Sequence, residues 1–369
     1  MTDHTNGTEG PHEPPSQDPA IEAKPRRRRR SRYWRNNGLV IFLSFCLTVA
    51  LFAALAAAGF YWTFQGPGPL KQEATYLVPR NAGLSTIATG LEDAGIIYDD
   101  SIFQYGVRLS RASGQLKAGE YAFAPGASMR DVMEKLKSGQ SILHTLTVPE
   151  GWTVDQIYQR VAAEEALSGD MPPEVAEGSL RPETYTFTRG MARKELIDKM
   201  AADQRALVES IWQDRDPDLP VEDVNQFVTL ASIVERETGI AGERPQVAAV
   251  FVNRLRKGMR LQSDPTVIYG VWGGAGKPAG EPIRQSHLKD DNPYNTYVHG
   301  GLPPGPIANP GRAALEAVAH PADTDALYFV ADGTGGHVFS ATLDEHNANV
   351  RRYREVERQR AAGEDAAGQ

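Results

Sequence analysis

The strongest pattern in the chain is a break in polarity near the N-terminus: from Gly38 to Gln65 there is no charged side chain. The run Leu39 to Phe64 is long enough to cross a bilayer as one helix. Beyond Gln65-Gly66-Pro67-Gly68-Pro69 the apolar segments shorten and begin to alternate with polar ones. Tyr76 to Pro79 predicts a short strand, Ser85 to Leu91 a helix ended by Ala94-Gly95, and Ser101 to Ser110 a second helix. Leu116 to Phe123 alternates as a strand does, and Ser128 caps a helix reaching Leu136. From His144 a strand leads to a helix capped by Thr153, and Glu177 to Phe187 reads as a loop leading into a short strand. Helices are predicted over Arg193 to Gln213, Val221 to Thr238, and from Pro245 to a stop at Gly258. Leu327 to Ala331 and His337 to Ser340 pair as a hairpin, and a polar helix starts near Leu343.

Charge orients this layout. Lys24, Arg26 to Arg30, Arg32 and Arg35 precede the apolar run, whereas the first basic residue after it is Lys71. That asymmetry predicts a cytoplasmic N-terminus and an exported remainder. A cleaved signal peptide ending near Ala54 and Ala56 is the rival, disfavoured by the length of the run and its distance from Met1. Residues 1 to 23 have the composition of a disordered segment. Of the 39 Lys and Arg, 8 precede residue 38, as do 5 of the 47 Asp and Glu, which leaves 31 basic against 42 acidic residues. An exported part near −11 is a poor binder of polyanions, so nucleic acid is excluded as a partner. The single cysteine, Cys46, cannot form an internal disulfide, so stability rests on ordinary cores. At 369 residues, two folded domains plus a tail are expected.

Candidate chemistry begins in the predicted helix at Leu230 to Thr238. Phe227, Leu230, Ala231 and Val234 share one face, with Thr229, Ser232 and Arg236 opposite and Glu235 on the flank. A carboxyl held against apolar surface loses hydration, its pKa rises, and it can act as a general acid. Glu235 is therefore the candidate catalytic residue, and Glu237 is read as a surface glutamate paired with a nearby arginine. Three later segments offer groups for a cleft. Gln262, Ser263 and Asp264 precede Pro265, although Ser263 or Asp264 also suits a helix N-cap. Asn295, Thr296 and Tyr297 supply amide, hydroxyl and ring groups suited to sugars, with a plain surface turn as the alternative. Gly300 to Gly311 is rich in Gly and Pro, and its Asn309-Pro310 end reads as a helix cap. The eight histidines show no metal-ligand spacing, no serine elbow or phosphate-binding loop is present, and neither metal nor cofactor is expected.

The strand, helix pair and strand of residues 75–142 resemble a LysM-like fold, which implies binding of cell-wall glycan. Downstream, LASIVERET, VFVNRL, MRLQSDPTVIYG, NPYNTY, GLPPGPIANPG, AHPA and LYFVADGTGGHVFS occur in an order that resembles the endolytic murein transglycosylases, the MltG or YceG-like family. Leu180-Arg181 departs from that pattern, since relatives carry aromatic residues there. The resemblance implies that Glu235 is catalytic, and that Gln262, Ser263, Asp264, Asn295, Thr296 and Tyr297 contact substrate. It further implies a lyase that cuts the β-1,4 bond between N-acetylmuramic acid and N-acetylglucosamine without water, leaving a 1,6-anhydro end and terminating nascent strands. Peptidoglycan strands, the inner membrane and peptidoglycan synthases are the partners so implied. The location is the bacterial inner membrane, with one crossing and a periplasmic catalytic domain. The alternatives are a hydrolytic muramidase using Asp264 as second carboxylate and a noncatalytic wall-binding scaffold. The expected fold is α+β, divided into a basic tail (1–37), a transmembrane helix (38–64), a linker (65–74), a LysM-like module (75–142), a YceG-like catalytic domain (143–360) and a disordered tail (361–369).

Overall fold

The computed structural model describes residues 31–367, with side chains from 37 to 360. Expectations for residues 1–30, including the run Arg26 to Arg30, lie outside the described residues. Two compact units divide at Thr63–Phe64.

The first unit is dominated by helix α1, Ser31–Gln65. Its stretch Asn37–Gln65 is long and apolar enough to cross a membrane. Leu39, Phe42, Leu47, Phe52 and Trp62 all project into the surroundings instead of into a protein core. Large apolar side chains exposed all round a helix are what a lipid environment accommodates.

The second unit begins with β1 (Ala74–Val78), α2 (Leu84–Asp93), α3 (Asp100–Leu109), β2 (Gly119–Phe123) and α4 (Met129–Ser138). β1 and β2 pair antiparallel, with Ala74 opposite Phe123 and Val78 opposite Gly119. Leu91, Phe103, Tyr121, Phe123, Met129 and Leu136 fill the space between this pair and the helices. Ser128 caps α4 as the sequence predicts, in a capping box with Asp131. The strand predicted from Leu116 starts only at Gly119, whose backbone takes φ +142.

The larger part follows with β3 (Leu143–Thr147), α5 (Val154–Ala162), the two-residue β4 (Leu167–Ser168), β5 (Thr184–Thr188) and β6 (Met191–Ala192). β3 pairs antiparallel with β5, and β4 lies parallel to β6. Leu146, Ile157, Val161, Tyr185, Leu196 and Met200 form a core beneath them. Leu180, at the departure from the family pattern, is fully buried there. The helices α6 (Arg193–Gln213), α7 (Val224–Glu237), α8 (Arg244–Arg256), α9 (Asp264–Trp272) and α10 (Arg312–Ala319) then assemble around α7. Hairpin β7 (Tyr328–Ala331) and β8 (His337–Ser340) and the long α11 (Leu343–Ala367) complete the chain.

α7 is central, which corrects the one-faced reading of its sequence. Phe227, Leu230, Ile233 and Val234 are buried among Val247 and Phe251 of α8, Leu315 and Val318 of α10, and Leu207 and Val208 of α6. Each such side chain contributes roughly 1.5–3 kcal/mol. Thr229 and Ser232, expected opposite the core, are buried as well. They stay hydrogen-bonded because Thr229 Oγ1 donates to the Asn225 carbonyl (2.7 Å) and Ser232 Oγ to that of Thr229 (2.7 Å). Ser232 Oγ also accepts the Ile307 amide at 3.0 Å, fastening the proline-rich loop to the helix. Of the three residues expected opposite the core, only Arg236 is exposed.

Candidate active site

The C-terminal turn of α7 holds Glu235, Arg236 and Glu237. Successive residues on a helix turn by about 100°, so the two glutamates point about 200° apart. They enter different surroundings.

Glu235 is buried, and both carboxylate oxygens are engaged. Oε1 accepts from Arg244 Nη2 at 3.2 Å, and Oε2 accepts the Gly311 amide at 3.0 Å, the N-cap position of α10. Arg244 also lies 3.6 Å from Glu150. Burial raises the Glu235 pKa most, the Gly311 amide lowers it, the Glu150 charge raises it and Arg244 lowers it. Both partners are donors and favour the carboxylate, but burial outweighs them and the net shift is upward.

Glu237 corrects the expectation of a surface ion pair. It is the Glu235 side chain that pairs with arginine, whereas Glu237 is partly buried and accepts from Ser263 Oγ at 2.5 Å. Desolvation, opposed by that hydrogen bond and reinforced by the nearby Asp264, pushes its carboxyl up to about 7; the positive charges at His337 and Arg254 pull the other way. A serine hydroxyl donates to a carboxylate and accepts from a carboxylic acid, so this partner suits both protonation states.

Glu237 lines an open cavity of about 490 Å³ together with Gln262, Asp264, Tyr297, Tyr328 and His346. Gln262 is exposed and holds φ +50, a left-handed backbone uncommon outside glycine. Tyr297 donates its hydroxyl to Asp264 Oδ1 at 2.8 Å. Ser263 occupies the N-cap position of α9 as expected, though its hydroxyl goes to Glu237 and makes no capping bond, and Asp264 is not the cap.

Asn295 and Thr296 do not reach the cavity. Asn295 Nδ2 donates to the carbonyls of His287 (3.1 Å) and Asp290 (2.7 Å), and its Oδ1 accepts the Tyr297 amide (3.0 Å). Thr296 Oγ1 accepts the Ser263 amide at 3.0 Å and meets Thr266 Oγ1 at 2.8 Å. Both are buried. They fix Ser263 and Tyr297 in place. Asn309 is not a helix cap either: its Oδ1 accepts from Leu180, and its Nδ2 donates to the Trp152 carbonyl and to Glu177.

Two charged residues escaped the sequence reading. Arg254 sits in the apolar stripe Val247, Val250, Phe251 and is buried, with Nε on the Leu327 carbonyl (2.7 Å) and Nη1 on that of Leu261 (2.6 Å). A charge at a core position of a helical pattern was the available signal. Glu177 accepts the Val154 amide at 2.9 Å, and burial pushes its pKa up to about 6. Nothing in its local pattern marked it.

A mixed α/β unit that presents one carboxyl poised near neutrality in an open polar groove is the class this geometry defines. Residues 76–352 match the model of the YceG-like family, and the chain belongs to that family. It is 33% identical over 308 residues to a Bacillus subtilis (strain 168) protein named endolytic murein transglycosylase, covering 75% of this chain and 83% of that one. A protein of the same name from Streptococcus pneumoniae serotype 2 (strain D39) is 30% identical over 364 aligned positions; the match takes in 83% of this chain but 64% of the pneumococcal one. A crystal structure of a yceG-like protein from Listeria monocytogenes has 32% sequence identity and covers 75% of this chain and 99% of its own, with a TM-score of 0.46.

Proposed function

We propose that this protein is a membrane-anchored lytic transglycosylase that cuts the β-1,4 bond between N-acetylmuramic acid and N-acetylglucosamine within peptidoglycan strands. The names of the bacillary and pneumococcal relatives support the reaction class. The observation that carries the assignment to a site is Glu237, a carboxyl with a pKa of about 7 in the wall of an open groove. Near neutral pH a substantial fraction is protonated and can protonate the glycosidic oxygen as the C1–O bond breaks. The resulting carboxylate then takes the proton of the muramyl 6-hydroxyl, whose oxygen closes on C1. The product is a 1,6-anhydro ring, no water is consumed, and one carboxyl serves both steps. Gln262, Asp264 and Tyr297 face the same groove and can orient the sugar and stabilise positive charge on it. Ser263, Asn295 and Thr296 hold that wall.

Glu235 is the second reading, favoured by the resemblance noted in the sequence and by its own upward pKa shift. Its enclosure between Arg244 and Gly311 favours a structural role in its place.

The remaining assignments belong to the same proposal. α1 anchors the protein in the bacterial inner membrane with its N-terminus cytoplasmic and residues after about 65 periplasmic, in line with the charge asymmetry around it. Residues 75–142, with strand, two helices and strand in that order, act as a LysM-like glycan-holding module, and 143–360 form the catalytic domain. Cleavage of nascent strands ends their elongation beside peptidoglycan synthases. Mass spectrometry of digested glycan tests the chemistry: anhydromuramyl ends are expected, whereas reducing ends would mean a hydrolase and uncut strands a scaffold.

A further inference from the structure

A second, smaller cavity of about 230 Å³ has a charge that runs against that of the protein as a whole. Arg236 and Lys277 line it together with Gln156, Tyr269, Gly151 and Gly276, and no acidic side chain does. Asp155 packs against Gly274 of the adjoining turn without lining the cavity, and it accepts from Gln159. Asp264, the residue before Pro265 in the lining, is bonded to Tyr297 and faces the other groove. The contrast with the formal charge of −8 is therefore local and built by two elements and a glycine turn. A larger cavity at α10 mixes Arg244, Arg312 and His320 with Asp214 and Glu316, and selects no sign of charge.

The donors are in reserve. Arg236 uses one N–H on the protein, to the Gly151 carbonyl at 3.2 Å, and a guanidinium carries five. Lys277 Nζ donates to the Glu281 carbonyl and keeps further N–H groups. Gln156 adds an amide beside Gly276. Arg236 stands between the two glutamates in the chain and Pro265 follows the groove residue Asp264, so neighbouring residues of α7 and α9 line the two cavities, and Gly151 of this lining lies against Glu235 Cγ.

We propose that the Arg236–Lys277 cavity is a carboxylate subsite that takes a free carboxylate of the peptide borne by the muramyl lactyl group, so that the enzyme prefers strands whose peptides keep their carboxylates uncapped. The proposal rests on peptidoglycan being the substrate. Peptidoglycan is the one abundant polysaccharide whose backbone carries short peptides with free carboxylates, and a guanidinium and an ammonium facing one cavity match that group.

Binding, not cleavage, tests it. Full-length Glu237→Gln protein in detergent is titrated with uncrosslinked peptidoglycan strands and with the same strands after their peptide carboxylates have been converted to carboxamides, which keeps the peptide and removes the charge. Strands with free peptide carboxylates should bind about tenfold more tightly than the carboxamide strands, as charge-assisted hydrogen bonds to a carboxylate require. With Arg236→Gln and Lys277→Gln added, the ratio of the two affinities should fall to near one. Arg236→Lys with Lys277→Arg keeps both charges and should keep the ratio. A parent with no preference, or a preference that survives the double glutamine variant, overturns the proposal. Failure of the lyase reading shows separately, as a lack of anhydromuramyl product from the unmutated enzyme.

Discussion

Glu235 and Glu237 are two residues apart on one helix turn, and both carboxyls are pushed upward by burial in different surroundings. Helical periodicity places each against an apolar or polar side of its own helix, but the partners come from Arg244, Gly311 and Ser263, brought in by other elements. What the sequence does make legible is that this turn carries the buried acids and that the 262–264 and 295–297 segments belong with it. It cannot separate Gln262 and Tyr297, which face the groove, from Asn295 and Thr296, which hold backbone carbonyls and amides behind it. The raised pKa of Glu237 also has a stability consequence. Its folded value of about 7 lies above its ordinary value of 4.5, so the native state keeps a proton the unfolded chain has lost. Its contribution is greatest below about pH 4.5 and disappears as pH rises to about 7, a difference of roughly 2–3 kcal/mol allowing for partial exposure. Glu237→Gln removes this titration. Its melting temperature should exceed that of the parent at pH 8 and approach it at pH 5, measured by calorimetry; a gap that widens toward low pH would show that the carboxyl is not desolvated in the folded protein.

The elements were legible where period and capping agreed. Ser128, Thr153, a short strand at the end of the 177–187 segment and the 193–213 helix all stand as the pattern predicts. The sequence does not reveal that α7 is enclosed on all sides, because Thr229 and Ser232 satisfy their hydroxyls within the helix and can be buried cheaply. Nor does it reveal the loop that carries Glu177 across to α5 and Asn309. Gly178 is the tight point there, with φ +80 and the position of a Cβ 2.8 Å from Pro306 Cβ. Gly178→Ala should therefore cost about 1–3 kcal/mol through backbone strain and displacement of the proline-rich loop. Denaturant unfolding measures it, and a loss within a few tenths of a kcal/mol would mean that the loop yields freely.

At the scale of the whole molecule, one helix among the described residues is long and apolar enough to cross a membrane and leads into a mixed α/β body, and the proposed orientation rests on the separation of charge along the chain. With the basic cluster inside and the acidic body outside, protease added to spheroplasts should digest residues after about 70 and spare the arginine-rich segment; protection of the body would reverse the orientation. In the proposed orientation the groove faces the wall polymer, and the chemistry turns on which carboxyl works there. The most direct measurement compares anhydromuramyl ends released from glycan strands by the parent, Glu237→Gln and Glu235→Gln, each assayed below its own melting temperature. Glu237→Gln should release none, a drop of at least about a thousandfold as expected for loss of general acid–base catalysis. Glu235→Gln should melt lower, because it leaves Arg244 buried without its carboxylate, yet still release anhydro ends. A folded Glu237→Gln that cuts as the parent does, beside a folded Glu235→Gln that cuts nothing, would contradict it.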